Sequence, residues 1–339
     1  MTGTADTLVP ARKASGRRFS VFETLTSLPV VILILFVLLS LYDARIYRLD
    51  NILNILRNAS YLLVVSLGQM LVLLLGGFDL SMGAVVALSS VATALSMVGL
   101  LAVYPDAPGL VMALGILAGL GVSGLLGLIN GVSVGVYRLS PFMVTLATMT
   151  IAEGLALYMT SGSSIYGLPQ EFTNSLGKFR VWNVPLVVFV ALGLLLCLHV
   201  FLERLRVGRY FYAVGSSETA ARMAGINVRG YLITAYTACA LFAGMAGVLL
   251  TARVGSGEAT LGGPLLTLQS ITAAVIGGVS LAGGVGRAYR VALGVLLLAL
   301  VTNGMNILRI DSKLQLIVVG LFLIGAVFIE RMRQERARR

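Results

Sequence analysis

Ten stretches of mainly apolar residues run through this chain, and they constrain its fold more than any other feature. About 20 apolar residues are enough to cross the hydrocarbon core of a bilayer as a helix. The stretches are 24–42, 58–76, 82–102, 110–130, 140–160, 184–202, 231–251, 267–283, 289–308 and 314–330. Charged residues make up 12% of the chain, about half the share of a soluble domain. The sequence therefore predicts an all-α polytopic membrane protein with about ten transmembrane helices.

The predicted organisation is one transmembrane domain between two basic tails. The tails are 1–23 and 331–339, and the domain between them is 24–330. Within it, the stretch 267–283 is short and interrupted by glycine, so we expect some of the helices to be short or broken.

The positive charge is distributed unevenly between the two sides of the predicted membrane domain. If the N-terminus is inside, 17 of the 25 Lys and Arg residues lie in cytoplasmic segments, as expected for loops that stay in the cytoplasm. The net charge of +11 is therefore interpreted as topology and not as nucleic-acid binding. We expect both termini and the long loop 203–230 to be cytoplasmic.

Two glycine-rich segments resemble each other. The chain reads Gly-Gly-Phe-Asp-Leu-Ser-Met-Gly at 76–83 and Gly-Gly-Val-Ser-Leu-Ala-Gly-Gly at 277–284, and Asn-Gly recurs downstream of each. Paired glycine-interrupted segments in two halves of a membrane protein point to a transport pathway. We therefore predict two loosely repeated halves. The candidates for the pathway or for helix breaks are Gly76, Gly77, Asp79, Ser81, Asn130, Gly277, Gly278, Ser280 and Asn303.

Two acidic residues lie near membrane depth, where an ionisable group is costly and is a functional candidate by default. Asp79 stands just before Leu80 and Ser81, so it either caps the following helix or lines a pathway. Glu153, the remaining pathway candidate, either makes an interhelical hydrogen bond or contacts a substrate.

The chemistry of a nucleotide-hydrolysing or metal-dependent enzyme is missing from the sequence. It has no phosphate-binding Gly-x-x-x-x-Gly-Lys-[Ser/Thr] motif. With one histidine and two cysteines it lacks the residues of a usual zinc site. We therefore expect a transport subunit that is not an enzyme and that holds no metal or cofactor of its own.

The loop 203–230 contains a short helix signal outside the membrane stretches. Ser217 is a good N-cap, Glu218 and Arg222 form a favourable i,i+4 pair, and Gly225 is a good stop. These residues predict a helix over 218–224 with a face of small residues, namely Ala220, Ala221 and Ala224. Because such a short helix is marginal alone, we expect a docking partner.

This loop resembles the coupling segment of the permease subunits of ATP-binding-cassette importers, in the branch that serves ribose and related monosaccharides. In that branch the loop typically reads Gly-x-Asn-Glu-Ala-Ala-x-x-Ser-Gly-Ile. The segment 76–83 resembles the branch's Gly-Gly-x-Asp-Leu-Ser-x-Gly motif, and 277–287 resembles its Gly-Gly-x-Ser-Leu-x-Gly-Gly-x-Gly-Arg motif. One departure is Ser217, where asparagine is common, but serine caps a helix comparably.

The resemblance implies the transmembrane subunit of a bacterial cytoplasmic (inner) membrane importer, which forms the translocation pathway for a monosaccharide. The implied partners are a second permease subunit, identical or different, two cytoplasmic ATP-binding subunits that carry ATP and Mg²⁺, and a periplasmic or extracellular sugar-binding protein. The residues it assigns to coupling with the ATPase are Ser217, Glu218, Ala220, Ala221, Arg222, Ala224 and Gly225. The outer segment 161–183 is a candidate surface for the binding protein.

Three alternatives remain open at this stage. The same class of permease can carry nucleosides, branched-chain amino acids or a furanose signal molecule. An ion-coupled secondary transporter would need a row of intramembrane acids, which is missing. A membrane-bound enzyme would need a catalytic set, and the sequence offers none.

Overall fold

The computed structural model describes residues 28–338, and most of them are helical. The helices are α1 (Leu28–Tyr42), α2 (Leu49–Leu74), α3 (Met82–Val103), α4 (Pro108–Gly135), α5 (Pro141–Thr160), α6 (Gln170–Phe172), α7 (Leu186–Arg204), α8 (Arg206–Ser216), α9 (Glu218–Met223), α10 (Val228–Val254), α11 (Gly263–Ile276), α12 (Ala288–Ile307) and α13 (Ser312–Arg338). A π-helical turn (Thr173–Lys178) follows α6, and the strands β1 (Arg180–Val181) and β2 (Val184–Pro185) pair antiparallel.

Within the described residues, seven helices are long and apolar enough to cross a membrane: α2, α3, α4, α5, α7, α10 and α12. Three shorter apolar segments are α1, α11 and the part of α13 at Lys313–Phe328. Each of the ten predicted stretches thus overlaps with an apolar helix. The expected N-terminal tail lies outside the described residues, and α13 continues through 331–338 as a helix.

The predicted span 267–283 is wrong at its C-terminal end. Helix α11 ends at Ile276 after 14 residues, a length of about 21 Å against the roughly 30 Å of a bilayer core. The chain turns at Gly277 and Gly278, and Gly278 has φ +85°, a conformation that glycine adopts without steric cost.

Helix α2 lies at the centre of the bundle. It packs against α7, α10, α11 and α12, and side chains such as Leu67 and Met70 are fully buried. Helix α10 fills the other side of the core, between α2, α3 and α4. Helices α4, α5 and α7 keep apolar outer faces, which include the exposed Leu117, Leu157 and Leu196.

Small residues let these helices approach closely. At Gly127 in α4, an added Cβ would lie 2.6 Å from the Cβ of Ala240 and 2.7 Å from the carbonyl oxygen of Tyr236 in α10. Helices in a membrane associate through such close packing because lipid supplies no hydrophobic drive between them. The abundance of glycine, 39 residues, therefore serves contacts as well as turns.

The loops collect at two opposite ends of the bundle. At one end, the turn after α2, the end of α8 and the loop between α11 and α12 are in contact. At the other end, Asn51 at the start of α2 exchanges two hydrogen bonds, of 3.0 and 2.9 Å, with Asn303 near the end of α12. There, Ile165 and Gly257 also form an isolated β-bridge.

Candidate functional site

A chain of buried polar side chains connects the break between α2 and α3 to two other helices. The Oδ1 atom of Asp79 accepts hydrogen bonds from the backbone N–H of Ser81 (2.9 Å) and from its hydroxyl (2.6 Å). Asn130 of α4 donates to the Ser81 hydroxyl oxygen (3.2 Å), and Thr148 of α5 donates to Asn130 (2.6 Å). Asp79, Ser81 and Asn130 are fully buried. Three of the predicted pathway candidates therefore form one hydrogen-bonded group.

The position of Asp79 favours the capping interpretation. Ser81 is the N-cap residue of α3, so the Asp79 carboxylate satisfies one of the four free N–H groups of that helix. A second, that of Gly83, donates to the Thr267 hydroxyl of α11 at 2.8 Å. The other carboxylate oxygen of Asp79 is enclosed and makes no hydrogen bond with the described residues. In this conformation the carboxylate does not face an open pathway.

Helix α10 closes this site from a third side. The Tyr236 hydroxyl donates to the carbonyl oxygen of Phe78 (3.2 Å), and the Cys239 sulfur lies 3.4 Å from that of Met82. The side chains of Tyr236, Cys239 and Thr148 were missed by the sequence analysis. Each belongs to an apolar helix without a distinguishing motif, so only the packing brings them to the break.

The remaining pathway candidates on helices do not break them. Glu153 lies on a partly exposed face of α5 and has no hydrogen bond or ion pair with the described residues, so of its two interpretations the interhelical hydrogen bond is not observed among them. Asn303 lies inside α12 and pairs with Asn51. Asn130 and Asn303 follow the two similar segments in the sequence, but they have different surroundings.

The two glycine-rich segments meet in space. The backbone N–H of Gly284 donates to the carbonyl oxygen of Leu74 at 2.8 Å. A Cβ at Gly283 would lie 2.9 Å from the backbone nitrogen of Gly76. The second segment forms a tight turn, in which the N–H of Ser280 donates to Val285 (2.9 Å). Gly277, the C-cap residue of α11, lies against the backbone of α12 at Arg290.

The short helix predicted in the long loop is present as α9. Ser217 caps it by accepting a hydrogen bond from the N–H of Ala220 (3.2 Å). Glu218 and Arg222 form an ion pair. Gly225 has φ +77°, and the Ile226 N–H returns to the Ala221 carbonyl oxygen (3.0 Å), which completes a Schellman motif. The predicted start, stop and ion pair are confirmed.

The predicted alanine face needs a correction. Ala221 is 4% exposed and packs with Val214 and Val228 of its own chain, because α9 folds back onto α8 and the start of α10. Its side chain is therefore not available to a partner in this structure. Ala220 and Ala224 are exposed. The most prominent exposed side chain on α9 is Met223, at 81%, which the sequence analysis did not select.

Helix α8 was also missed, since the sequence analysis treated the residues before Ser217 as loop. The available signal was the apolar spacing of Val207, Phe211 and Val214, which is typical of an amphipathic helix. Phe211 and Val214 are buried, and Val207 is exposed.

A cavity of about 220 Å³ opens beside the end of α8. It is lined by Tyr212, Gly278, Gly284, Val285, Gly286, Arg287 and Arg290. The Tyr212 hydroxyl donates to the carbonyl oxygen of Gly286 at 3.0 Å. Burial raises the pKa of the Tyr212 hydroxyl. Among the described residues, no three His, Cys, Asp or Glu side chains gather as a metal site.

Comparisons with known proteins agree on one family. Residues 51–327 match the family described as branched-chain amino acid transport system / permease component. A probable ABC transporter permease protein, y4mJ, of Sinorhizobium fredii is 39% identical over 84% of this chain and 83% of its own length. The D-allose transport system permease protein of Escherichia coli is 35% identical over 84% of both chains.

The ribose import permease protein of Escherichia coli is 33% identical over 90% of this chain and 93% of its own length. No solved structure matches the chain significantly. The similarity thus covers nearly all of the spanning helices, both glycine-rich segments and the long loop with α8 and α9.

Two substitutions of Asp79 distinguish the effect of its hydrogen-bond acceptor from the effect of its negative charge. In Asp79→Asn an amide oxygen can still accept from Ser81, so we expect stability close to that of the wild type. In Asp79→Leu the buried N–H and hydroxyl of Ser81 lose their acceptor, which costs about 1–3 kcal/mol for each group. Thermal unfolding of the purified chain in detergent measures the difference. Equal destabilisation by both substitutions would contradict the capping role.

Proposed function

Because the chain belongs to the family of branched-chain amino acid transport system permease components, we propose that it forms the transmembrane pathway of an ATP-driven importer for a monosaccharide. The relatives named for ribose and D-allose favour a sugar over an amino acid as cargo. A soluble sugar-binding protein delivers the cargo from outside. Two cytoplasmic ATP-binding subunits, which carry ATP and Mg²⁺, supply the energy.

The single structural observation that carries this proposal is the presentation of α9. A helix of six residues is too short to be stable alone, yet α9 is capped at both ends and anchored by Ala221. Its opposite face leaves Met223 exposed next to Ala220 and Ala224. This surface, with two small side chains beside one protruding methionine, is suited to a close-fitting socket on another protein.

The outer face of α5 supports a second permease subunit. Glu153 lies near the middle of this apolar helix, partly exposed and without a hydrogen bond or ion pair to the residues that the structure describes. Thr150 is also exposed on α5. An ionisable side chain at membrane depth faces protein or water and not lipid. We therefore place α5 at the pathway between two permease subunits, with Glu153 exposed to it.

The proposed topology has about ten spans in two loosely repeated halves, with both termini cytoplasmic. In this proposal the spans are the seven long apolar helices and the three shorter ones. The distribution of Lys and Arg supports the orientation. It puts the bundle end with Gly76, Ser216 and Gly284 inside, and the end with β1 and β2 outside.

The orientation predicts how two cysteines are labelled when they are introduced one at a time at exposed positions, as Ser216→Cys and Asn174→Cys. A membrane-impermeant maleimide added to intact cells should label position 174 only, and position 216 should react after permeabilisation. The wild-type chain, with Cys197 and Cys239, is the control. Labelling of position 216 from outside would overturn the topology.

The exposure of Met223 predicts that it contacts the ATP-binding subunit. Met223→Glu should leave the chain folded, because the side chain has no packing to lose, and should abolish co-purification with the ATP-binding subunit. In the control Ala221→Arg, a long charged side chain enters a packed site. Overpacking alone costs about 1–3 kcal/mol, so that variant should lose thermal stability instead. Normal co-purification of Met223→Glu would show that α9 does not contact the ATP-binding subunit.

Transport itself is tested in proteoliposomes with the ATP-binding subunit and the binding protein encoded beside this chain. Uptake of labelled D-ribose, D-allose and D-galactose is measured with and without internal ATP. We expect uptake of at least one sugar that requires ATP and is lost in Met223→Glu. Uptake of leucine or a nucleoside alone would refute a sugar as the cargo. Uptake driven by an ion gradient without ATP would refute an ATP-driven importer.

A further inference from the structure

Four glycines and one carbonyl group form a backbone contact between three parts of the chain, which we call the glycine junction. It consists of Gly76, Gly215, Gly283, Gly284 and the carbonyl of Leu74. Gly76 follows α2, Gly215 lies in the last turn of α8, and Gly283 and Gly284 belong to the loop between α11 and α12. The junction therefore joins the two glycine-rich segments to the helix that precedes α9.

The junction leaves no space for a side chain at Gly215. An added Cβ would collide with the carbonyl oxygen of Leu74 and would lie 2.7 Å from the backbone nitrogen of Gly284. These two atoms are themselves hydrogen-bonded at 2.8 Å. At Gly283 an added Cβ would lie 2.8 Å from the Gly215 carbonyl oxygen. Because backbone atoms lack the rotamer freedom of side chains, the contact is stiff.

On one side, the junction is tied to α9. Leu75 packs against the cluster of Val214, Ala221 and Val228, which anchors α9. One turn earlier in α8, the Tyr212 hydroxyl donates to the carbonyl oxygen of Gly286 in the α11–α12 loop. A displacement of α9 is therefore resisted at two points of that loop and at the end of α2.

On the other side, the junction leads to the buried polar chain. Gly76 stands three residues before Asp79, whose carboxylate binds Ser81. Ser81 is connected through Asn130 to Thr148 on α5, the helix that carries Glu153. A continuous series of packed and hydrogen-bonded groups thus runs from α9 to the proposed pathway.

A second physical route leads from α9 directly into α10 through 224–227. This route needs neither Gly215 nor the glycine-rich segments. Substitutions at the junction therefore discriminate between the two, since they change no residue of α9, of its caps or of the segment 224–227.

We propose that Gly215 is a positioning residue for coupling: its backbone contact transmits the displacement of α9 to both glycine-rich segments, and through Asp79 to α5. The inference rests on the proposed function, because it requires an ATP-driven partner that moves α9. It assigns the two similar segments a shared mechanical role at one end of the bundle.

The experiment compares sugar uptake with ATP hydrolysis in the same proteoliposomes, using the sugar that the wild-type complex takes up. In Gly215→Ala the uptake per ATP hydrolysed should fall by roughly tenfold, near the upper range for a coupling residue. Co-purification with the ATP-binding subunit should stay normal, because α9 is intact. Tyr212→Phe removes only the hydrogen bond to Gly286 without a steric clash, and should lower the same ratio by a few-fold.

Two glycines provide matched controls. A Cβ at Gly208, in the first turn of the same helix, would collide with the Phe201 carbonyl oxygen, so Gly208→Ala imposes a comparable clash away from the junction. It should lower thermal stability and keep the uptake ratio. Gly193 in α7 has open space around it, and Gly193→Ala should change neither quantity.

Three outcomes would overturn the proposal. The first is a normal uptake ratio in Gly215→Ala, and the second is an equal fall of the ratio in Gly208→Ala. If Gly215→Ala does not fold, Tyr212→Phe decides the question, and the third outcome is its unchanged ratio. A failure of the proposed function is distinct, because then the wild-type complex itself would show no ATP-dependent uptake of any sugar.

Discussion

Backbone-to-backbone packing at glycine is the contact on which the rest of this structure depends. Lipid is as apolar as the helix surfaces, so the helices gain little from burying leucine against each other and rely on close approach instead. Gly127 lets α4 lie directly on α10, and Gly277 does the same between α11 and α12. At the cytoplasmic end of the proposed topology, Gly215 extends the same principle from helix packing to loop packing.

This close packing encloses polar groups that must find partners inside the protein. Asp79, Ser81, Asn130 and Thr148 satisfy one another in a chain that crosses from the α2–α3 break to α5. Within this chain of side chains, the enclosed second oxygen of Asp79 makes no hydrogen bond with the described residues. A buried acceptor without a donor is costly, and a rearrangement that supplied one would be favoured.

Local signals in the sequence predicted α9 accurately because they act within one turn of helix. Ser217, the Glu218–Arg222 pair and Gly225 need only their neighbours to cap, pair and terminate. The apolar stretches predicted the helices for a similar reason, since hydrophobic length is a property of the chain alone. The prediction failed where a helix end depends on packing, as at Ile276, and where an amphipathic pattern was short, as in α8.

The sequence by itself determined that this chain is a bundle of apolar helices, where its glycine-rich breaks fall, and that a short capped helix stands in its long loop. Tertiary structure alone decided which faces of these elements are buried and which are exposed. Ala221 turns inward and Met223 outward, and the two glycine-rich segments, about 200 residues apart, meet at Gly215. The reason is physical. Capping and hydrophobic length are local, whereas the approach of two backbones depends on every helix packed between them.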